Sequence, residues 1–198
     1  MGKPLSAHDL IQYAMEGECL ASGSPHADNV APVLLGGFTL VRCTKPLDVI
    51  KLPCPSELKA IVLHPKIELK TMHAREILKN NVPLKKAINQ WGNLAAFISS
   101  LYTEDYDLMS RSLVDEIVEP MRSLLIPKFE EVKKAVMDAG ALGFGISGSG
   151  PSVYALAKGI LDANSIADAM ICNIKKVGID FEVHKSSINK QGIKIISS

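Results

Sequence analysis

The sequence Gly143-Phe-Gly-Ile-Ser-Gly-Ser-Gly-Pro-Ser-Val-Tyr154 decides the fold, because the order of the elements around it separates two possible structures. It contains Gly-x-Gly-x-x-Gly, the pattern of a dinucleotide-binding turn, which must follow a strand and open a helix. Here a helical pattern at residues 128–139 comes before the glycines, and a short strand-like run at 153–157 follows them. The sequence therefore predicts a Ser/Gly-rich hairpin at 147–152 between two strands. Its backbone N–H groups can approach a phosphate or a carboxylate closely.

The elements around this hairpin predict an α+β fold of the two-layer sandwich type. Apolar spacing predicts helices at residues 6–21, 69–79, 84–101, 106–117, 128–139 and 164–176. Besides the two strands that flank the hairpin, strands are predicted at 33–43, 48–52, 58–63, 181–187 and 193–196. Pro53 and Pro55 interrupt the pattern, so we place a domain boundary there, between residues 1–55 and residues 56–198.

Composition and charge exclude several classes of function. Lys and Arg number 22 and Asp and Glu 21, and the net charge of +1 gives no electrostatic footprint for nucleic acid or an anionic membrane. No apolar run reaches the roughly 18 residues that a membrane span needs, and the first residues lack the apolar region of a signal peptide. The four cysteines form no Cys-x-x-Cys pair, which predicts reduced thiols. We therefore expect a cytoplasmic protein with neither nucleic acid nor membrane as a partner.

Two polar positions in the N-terminal part are candidates for chemistry. His26-Ala-Asp-Asn29 places an imidazole, a carboxylate and an amide in a predicted loop, just before a strand. The same residue types are common in plain turns, where Asp and Asn bond to their own backbone. Glu18 lies at the C-terminal end of the first predicted helix, where the helix dipole disfavours a carboxylate. It is either a surface glutamate or a ligand for a cation.

Two arginines are candidates for binding an anion. Arg75 falls in a predicted helix beside apolar residues, and it can simply be solvated there. Arg122 stands between apolar residues and two prolines, where it either packs along its stem or binds a planar anion through two hydrogen bonds. The remaining histidines show no spacing typical of a metal site, and the sequence lacks a nucleophile elbow.

Taken in order, five motifs resemble one family of enzymes. They are Glu18, His26-Ala-Asp-Asn-Val-Ala-Pro32 with Gly36-Gly37, Thr71-x-x-x-Arg75, Glu119-Pro-x-Arg122 with Ile126-Pro127, and Gly145-Ile-Ser-Gly-Ser-Gly-Pro-Ser152. This order resembles the homoserine kinases, a branch of the GHMP superfamily of small-molecule kinases, along essentially the whole chain. The hairpin marks the superfamily, whereas the His-Ala-Asp-Asn motif with both arginines points to the homoserine branch. The resemblance implies a ferredoxin-like C-terminal domain preceded by part of an ATP-binding α+β domain.

One feature of that family has no match among the 198 residues. Family members carry a Pro-x-x-x-Gly-Leu-Gly-Ser-Ser-Ala phosphate loop that leads into a helix, and residues 1–6 resemble the sequence shortly after that helix. The resemblance thus implies the last two-thirds of a kinase, with residues 1–55 as the remnant of the N-terminal domain and 56–198 as the C-terminal domain. We expect this chain alone to be inactive. We also expect it to self-associate, for example as a homodimer, through apolar groups of the remnant, chiefly Leu10, Ile11, Ala14, Met15 and the strand at 33–43.

The resemblance implies a reaction, the transfer of phosphate from ATP to the side-chain hydroxyl of L-homoserine in threonine biosynthesis. Glu18 matches the glutamate that binds Mg²⁺ and bridges it to the phosphates of ATP. Asn29 matches the residue close to the attacking hydroxyl, and Thr71 matches a threonine near the transferred phosphoryl group. No general base is assigned, because phosphoryl transfer depends mainly on positioning and charge neutralisation.

The resemblance also implies a binding pocket for the amino acid. Arg75 and Arg122 match the pair that holds its carboxylate, and His26 and Asp28 line the same pocket. The floor of the pocket is formed by the hairpin residues Ser147, Gly148, Ser149 and Gly150. Two other functions stay open at this point: a non-catalytic α+β domain for amino-acid binding or assembly, and a GHMP kinase acting on another small alcohol that bears a carboxylate.

Overall fold

The chain forms two compact units in the computed structural model, which describes residues 5–69 and 77–196. Unit 1 comprises the described residues up to Cys54 together with those from Ile188 onward, and unit 2 runs from Pro55 to Ser187. The sequence placed one boundary between residues 55 and 56 and did not predict that the C-terminal segment returns to unit 1. The assignment of residues 1–55 and 56–198 to the two family domains stays a prediction.

Unit 1 consists of two helices and a two-stranded antiparallel hairpin. The elements are α1 (Ala7–Ser22), α2 (Ala27–Leu35), β1 (Phe38–Thr44) and β2 (Leu47–Leu52). Helix α1 begins with a capping box, in which the Ser6 hydroxyl accepts a hydrogen bond from the Asp9 N–H at 3.1 Å and the Asp9 carboxylate accepts one from the Ser6 N–H at 3.0 Å. The core of unit 1 is formed by Ile11, Met15, Ala27, Ala31 and Leu47.

The expected apolar patch on helix α1 is only partly present. Ile11 and Met15 are buried in the core of unit 1, against residues of α2 and β2. Leu10 is exposed and Ala14 is half-buried. The prediction that all four face outward is therefore wrong for Ile11 and Met15, because helix α2 covers them.

The segment around His26 is a helix start and not the predicted loop before a strand. His26 is the N-terminal cap of α2, Asp28 and Asn29 lie in its first turn, and the strand begins only at Phe38. The apolar run that leads to Leu35 lacks a clear period, and such a short run does not by itself distinguish a strand from a buried helix.

The C-terminal segment closes against unit 1 by backbone contacts. The Gly37 N–H donates to the Asn189 carbonyl at 2.7 Å, and the Ile193 N–H donates to the Val33 carbonyl at 2.9 Å. A β-carbon added at Gly192 would lie 2.2 Å from the Leu34 carbonyl oxygen, so only glycine fits there. The predicted strand at 193–196 does not form.

Unit 2 contains a four-stranded antiparallel sheet in the order β4-β5-β3-β6. Its strands are β3 (Leu58–Pro65), β4 (Gly143–Ile146), β5 (Val153–Lys158) and β6 (Phe181–Ser187). Strand β3 is central and pairs with β5 through Ile61↔Ala155 and with β6 through Ile61↔Lys185. Ile61 and Leu63 are both buried. They are separated by one residue, because successive side chains of a strand point to opposite faces of the sheet.

Helices cover the apolar face of this sheet. The helices of unit 2 are α3 (Leu84–Thr103), α4 (Tyr106–Ser112), the short α5 (Glu119–Arg122), α6 (Phe129–Asp138) and α7 (Gly159–Lys175). Core residues of α6 and α7, including Val136 and Ile166, pack with Phe144 of β4 and Ala155 of β5. The predicted α+β two-layer sandwich is confirmed.

Two predicted helices of unit 2 differ in extent from the structure, and a third falls mainly outside the described residues. The helix predicted at 106–117 ends at Ser112, and the helix predicted from 164 begins at Gly159. The helix predicted at 69–79 falls mainly on residues 70–76, which lie outside the described residues.

Candidate functional site

The Ser/Gly-rich hairpin joins two antiparallel strands, β4 and β5, as the sequence predicts. The Ser147 N–H donates to the Ser152 carbonyl at 2.8 Å, and the Gly150 N–H donates to the Ser147 carbonyl at 3.0 Å. Gly148 has a φ of +59°, and the space around the position of its missing β-carbon is open within 4 Å. The motif therefore presents bare backbone between two strands, and a dinucleotide-binding turn that opens a helix is excluded.

Arg122 meets this hairpin in space. It is the last residue of α5, and its Nη1 donates to the Gly148 carbonyl at 2.8 Å. The two residues are 26 positions apart in the sequence. Of the predicted substrate-binding residues, the structure thus brings together Arg122 and the hairpin.

Asp115 organises the turn that carries Arg122, a role that the sequence analysis missed. Its Oδ1 accepts hydrogen bonds from the N–H groups of Ile117 at 2.9 Å and Val118 at 2.8 Å, and its Oδ2 accepts one from Glu119 at 3.1 Å. The Glu119 N–H belongs to the first turn of α5, where N–H groups have no intrahelical partner, and the other two donors lie directly before that turn. The available signal was an Asp four residues before the Glu-Pro pair that opens α5.

A cleft of about 370 Å³ lies beside Arg122. It is lined by Arg122 and Gly148, by Asp115 and Glu119, and by Tyr154 of β5 among others. Its wall thus combines a guanidinium, carboxylates and a phenol, a mixture that suits a small polar molecule better than an apolar one.

Burial shifts two of the acidic groups around this cleft. Glu119 forms an ion pair with Lys133, yet burial still raises the pKa of its carboxyl above the ordinary 4.5. Burial, followed by the negative charges of Glu119 and Asp115, raises the pKa of the Tyr154 phenol above its ordinary 10.0. The phenol therefore stays protonated at neutral pH and carries an O–H that can donate a hydrogen bond.

A second side-chain pair stands at the other end of the hairpin. The Nδ1 of His64, on β3, lies 2.8 Å from the Oγ of Ser152. The contact joins residues 88 positions apart, so no local pattern in the sequence predicts it. This contact holds Ser152, at the end of the hairpin that leads into β5, against the central strand β3.

The remaining described candidates lie in unit 1. Glu18 stands in the last turns of α1 and is half-buried. The Nδ1 of His26 lies 3.7 Å from the Oδ1 of Asp28, and the Asn29 side chain is exposed in the same first turn of α2. Three of the predicted residues are thus neighbours at one helix N-terminus, where the partial positive charge of the helix favours anions.

Two candidates cannot be placed, because Thr71 and Arg75 lie outside the described residues. Residues 5–69 and 77–196 contain no group of three or more His, Cys, Asp or Glu side chains that could hold a metal ion. Within the same ranges, no helix has both the length and the apolar character required to cross a membrane.

A family profile described as "GHMP kinases C terminal" matches residues 83–176. The homoserine kinase of Chlorobium phaeobacteroides (strain BS1) is 44% identical over 198 residues, which cover 99% of this chain and 62% of that protein. This chain therefore spans about three-fifths of the length of the curated relatives it matches.

Two solved structures have the same fold. The crystal structure of homoserine kinase from Cytophaga hutchinsonii matches with a TM-score of 0.95 and 50% identity, over 98% of this chain and 62% of that one. The L. major mevalonate kinase in complex with R-mevalonate matches with a TM-score of 0.71 and 16% identity, over 95% of this chain and 59% of that one. The second likeness concerns the fold alone.

Proposed function

Since this chain belongs to the GHMP kinase superfamily, and within it to the homoserine kinases, we propose that the protein transfers a phosphoryl group from ATP to the side-chain hydroxyl of L-homoserine. The observation that carries the proposal is the identity of 44% and 50% to homoserine kinases over nearly the whole chain. A mevalonate kinase of the same fold reaches only 16%. We place the reaction in threonine biosynthesis.

Arg122 is proposed to bind the carboxylate of homoserine. Its hydrogen bond to the Gly148 carbonyl holds the guanidinium at the wall of the cleft, and the Asp115 cap holds the helical turn from which it projects. A planar guanidinium matches the geometry of a carboxylate and binds it through two parallel hydrogen bonds. Arg75, outside the described residues, is proposed as the second carboxylate ligand.

The hairpin is proposed to form the floor of the substrate pocket. Ser147, Gly148, Ser149 and Gly150 present backbone with little side-chain bulk, so a small amino acid can approach closely. A larger residue at Gly150 would contact Ile126, since a β-carbon there would lie 3.3 Å from its Cδ1. Glycine at this position, where φ is +81°, thus lets the hairpin pack against Ile126 without strain.

The residues at the start of α2 are proposed to act on the amino acid and its hydroxyl. Asn29 would orient the hydroxyl, and His26 and Asp28 would contact the polar groups of homoserine. Thr71 is proposed to act near the transferred phosphoryl group. All four roles consist of positioning, which provides most of the rate enhancement in phosphoryl transfer.

Glu18 is proposed to hold Mg²⁺, the metal that accompanies ATP. Mg²⁺ keeps several waters and takes one or two carboxylates together with phosphate oxygens, so a single glutamate fits its requirements. Bound Mg²⁺ neutralises negative charge on the phosphates of ATP. Glu18 would supply one oxygen ligand, and no cage of protein ligands is needed.

The test is a steady-state ADP-release assay on the full-length protein, with homoserine, mevalonate and galactose as alternative substrates. We expect turnover with homoserine at a kcat/KM far above that for the other two. Arg122→Leu should raise the KM for homoserine by the equivalent of about 2–5 kcal/mol, the scale for removing one partner of a desolvated charge pair, and leave the KM for ATP almost unchanged. Equal activity on mevalonate, or an unchanged homoserine KM in the variant, contradicts the proposal.

A further inference from the structure

The hydrogen bond between His64 and Ser152 joins the Ser/Gly-rich hairpin to the central strand, and the proposed reaction gives it no role. The Nδ1 of His64 lies 2.8 Å from the Oγ of Ser152, and both residues are half-buried. Either neutral tautomer of the imidazole makes this bond, because Nδ1 can donate to the hydroxyl or accept from it. The bond therefore ties the hairpin to the sheet whichever tautomer is present.

The register of the sheet places the two residues opposite each other. The ladder between β3 and β5 ends at the pair Leu63↔Val153, so position 64 faces position 152 one step further along the two antiparallel strands. Side chains at directly opposite positions of an antiparallel pair are close enough to interact. The bond between His64 and Ser152 thus continues the contact between the two strands by one step, where their backbone ladder ends.

His64 is a firm anchor, because its own backbone is still held at this point. Strand β3 continues to pair with β6 through His64↔Glu182 and Pro65↔Phe181. The residues directly before and after His64, Leu63 and Pro65, are both buried. The imidazole therefore projects from a part of the sheet that is fixed by its ladder and by its buried neighbours.

The tip of the hairpin, in contrast, has little side-chain surface with which to pack. Ser147 and Gly148 are exposed, and Gly148 and Gly150 have φ values of +59° and +81°, in the left-handed region. Glycine loses more conformational freedom than any other residue when it is ordered, so one fixed orientation of this tip is costly in entropy. Two backbone hydrogen bonds, from the Ser147 N–H to the Ser152 carbonyl and from the Gly150 N–H to the Ser147 carbonyl, close the turn on itself. They make residues 147–152 one unit but do not attach that unit to β3.

We propose that His64 is a positioning residue for the substrate pocket, an inference that rests on the proposed function. His64 holds Ser152, and with it the unit of residues 147–152. The Gly148 carbonyl of that unit accepts a hydrogen bond from the Arg122 guanidinium at 2.8 Å. The orientation of the guanidinium therefore depends on where the hairpin lies, and His64 ties the hairpin to the sheet. In this role His64 has no contact with the substrate and acts only through the hairpin.

A positioning role predicts a selective kinetic effect. Without the bond between His64 and Ser152, Arg122 samples more orientations, whereas two parallel hydrogen bonds to a carboxylate require one of them. The KM for homoserine should therefore rise about two- to tenfold, the range that the loss of one hydrogen bond gives. The KM for ATP should stay unchanged, because Arg122 is proposed to bind the amino acid and not the nucleotide. A residue that only stabilises the fold would not separate the two KM values in this way.

Steady-state kinetics of the full-length protein test this effect with matched variants. His64→Ala and Ser152→Ala each remove the bond, the second by deleting only a hydroxyl, and both should raise the KM for homoserine by a similar factor. The double variant should show no further rise, since the two side chains act through one contact. His64→Asn places an amide where Nδ1 lies and should keep the KM within about twofold of wild type. His184→Ala, at an exposed histidine of β6, is the control and should leave the KM unchanged.

Hydrogen exchange of the same variants measures the hairpin directly, whichever substrate the protein uses. His64→Ala should speed the exchange of the Ser147 and Gly150 amides, whose bonds close the turn, while amides of α7 keep their wild-type rates.

The outcomes separate this inference from the proposed function. Unchanged exchange at the hairpin in His64→Ala, or effects of the single variants that add in the double variant, overturn the inference. Faster exchange with an unchanged KM for homoserine also overturns it, because His64 would then only stabilise the fold. A wild-type protein that does not turn over homoserine refutes the proposed function instead, and exchange at the hairpin then still decides whether His64 holds it.

Discussion

The cap that Asp115 provides makes a quantitative prediction. Its carboxylate accepts three backbone hydrogen bonds, at 2.9, 2.8 and 3.1 Å. Replacement by alanine removes both acceptor oxygens and with them all three hydrogen bonds. Because Ile117 and Val118 are only half-buried, water replaces part of the lost hydrogen bonding. We expect Asp115→Ala to lower the free energy of unfolding by about 2 kcal/mol, the upper end of the range for loss of an N-terminal cap.

Asparagine separates the contributions of the two oxygens. Asp115→Asn can keep the Oδ1 bonds to Ile117 and Val118, but its amide nitrogen cannot accept from the Glu119 N–H. The expected loss is therefore about 1 kcal/mol, between wild type and alanine.

Urea unfolding followed by Trp91 fluorescence measures these differences, since Trp91 is the only tryptophan and lies in unit 2. Asp168→Ala, at an exposed position of α7, is the control for the same chemical change and should alter stability by less than about 0.5 kcal/mol. An Asp115→Ala variant as stable as this control would refute the reasoning.

Three further outcomes are expected. Gly143→Ala should destabilise the protein by about 1–3 kcal/mol, because its β-carbon would lie 2.6 Å from both the Cβ and the Cδ1 of Leu113. Leu113→Gly removes both atoms and should make the same change less costly in thermal unfolding. Burial raises the pKa of Glu119, so the folded state binds this proton more tightly than the unfolded state, and stability should fall as the pH rises from 4.5 through the raised value. Glu119→Gln should abolish that fall in urea titrations across this interval, and an unchanged pH profile would contradict the assignment. The 198 residues alone should release no ADP with homoserine, because they contain no phosphate loop, and turnover above background would show that the loop is dispensable.

Local chemistry explains which elements the sequence predicted. Ser6 and Asp9 form the cap of α1 within one turn, near the start of the helix predicted at 6–21, and helix α3 begins at the predicted residue 84. The order of elements around the hairpin identified two strands, because a helix pattern preceded the glycines. In each case the signal lies within a few residues of the element it specifies.

Features that depend on distant residues escaped prediction. The sequence predicts a loop and a strand where helix α2 forms. Its short apolar run does not by itself distinguish a strand from a helix, and the helix is stabilised when Ala27 and Ala31 pack against α1. The contact between Arg122 and Gly148 and the pair of His64 with Ser152 join separate elements. The sequence identified Arg122 as a candidate, but its partner is set by the tertiary fold.

The return of the C-terminal segment to unit 1 has a consequence for synthesis on the ribosome. Unit 2 is continuous from Pro55 to Ser187, so its fold does not depend on residues from 188 onward. Unit 1, in contrast, needs Asn189 and Ile193 as hydrogen-bond partners for the backbone N–H of Gly37 and the backbone carbonyl of Val33. The contacts between the two parts of unit 1 can therefore form only after the more than 130 intervening residues have been synthesised. Forming them closes a long loop, which has an entropic cost. We expect unit 2 to fold before unit 1, although part of unit 1 precedes it in the sequence, against the usual N-to-C order of nascent proteins.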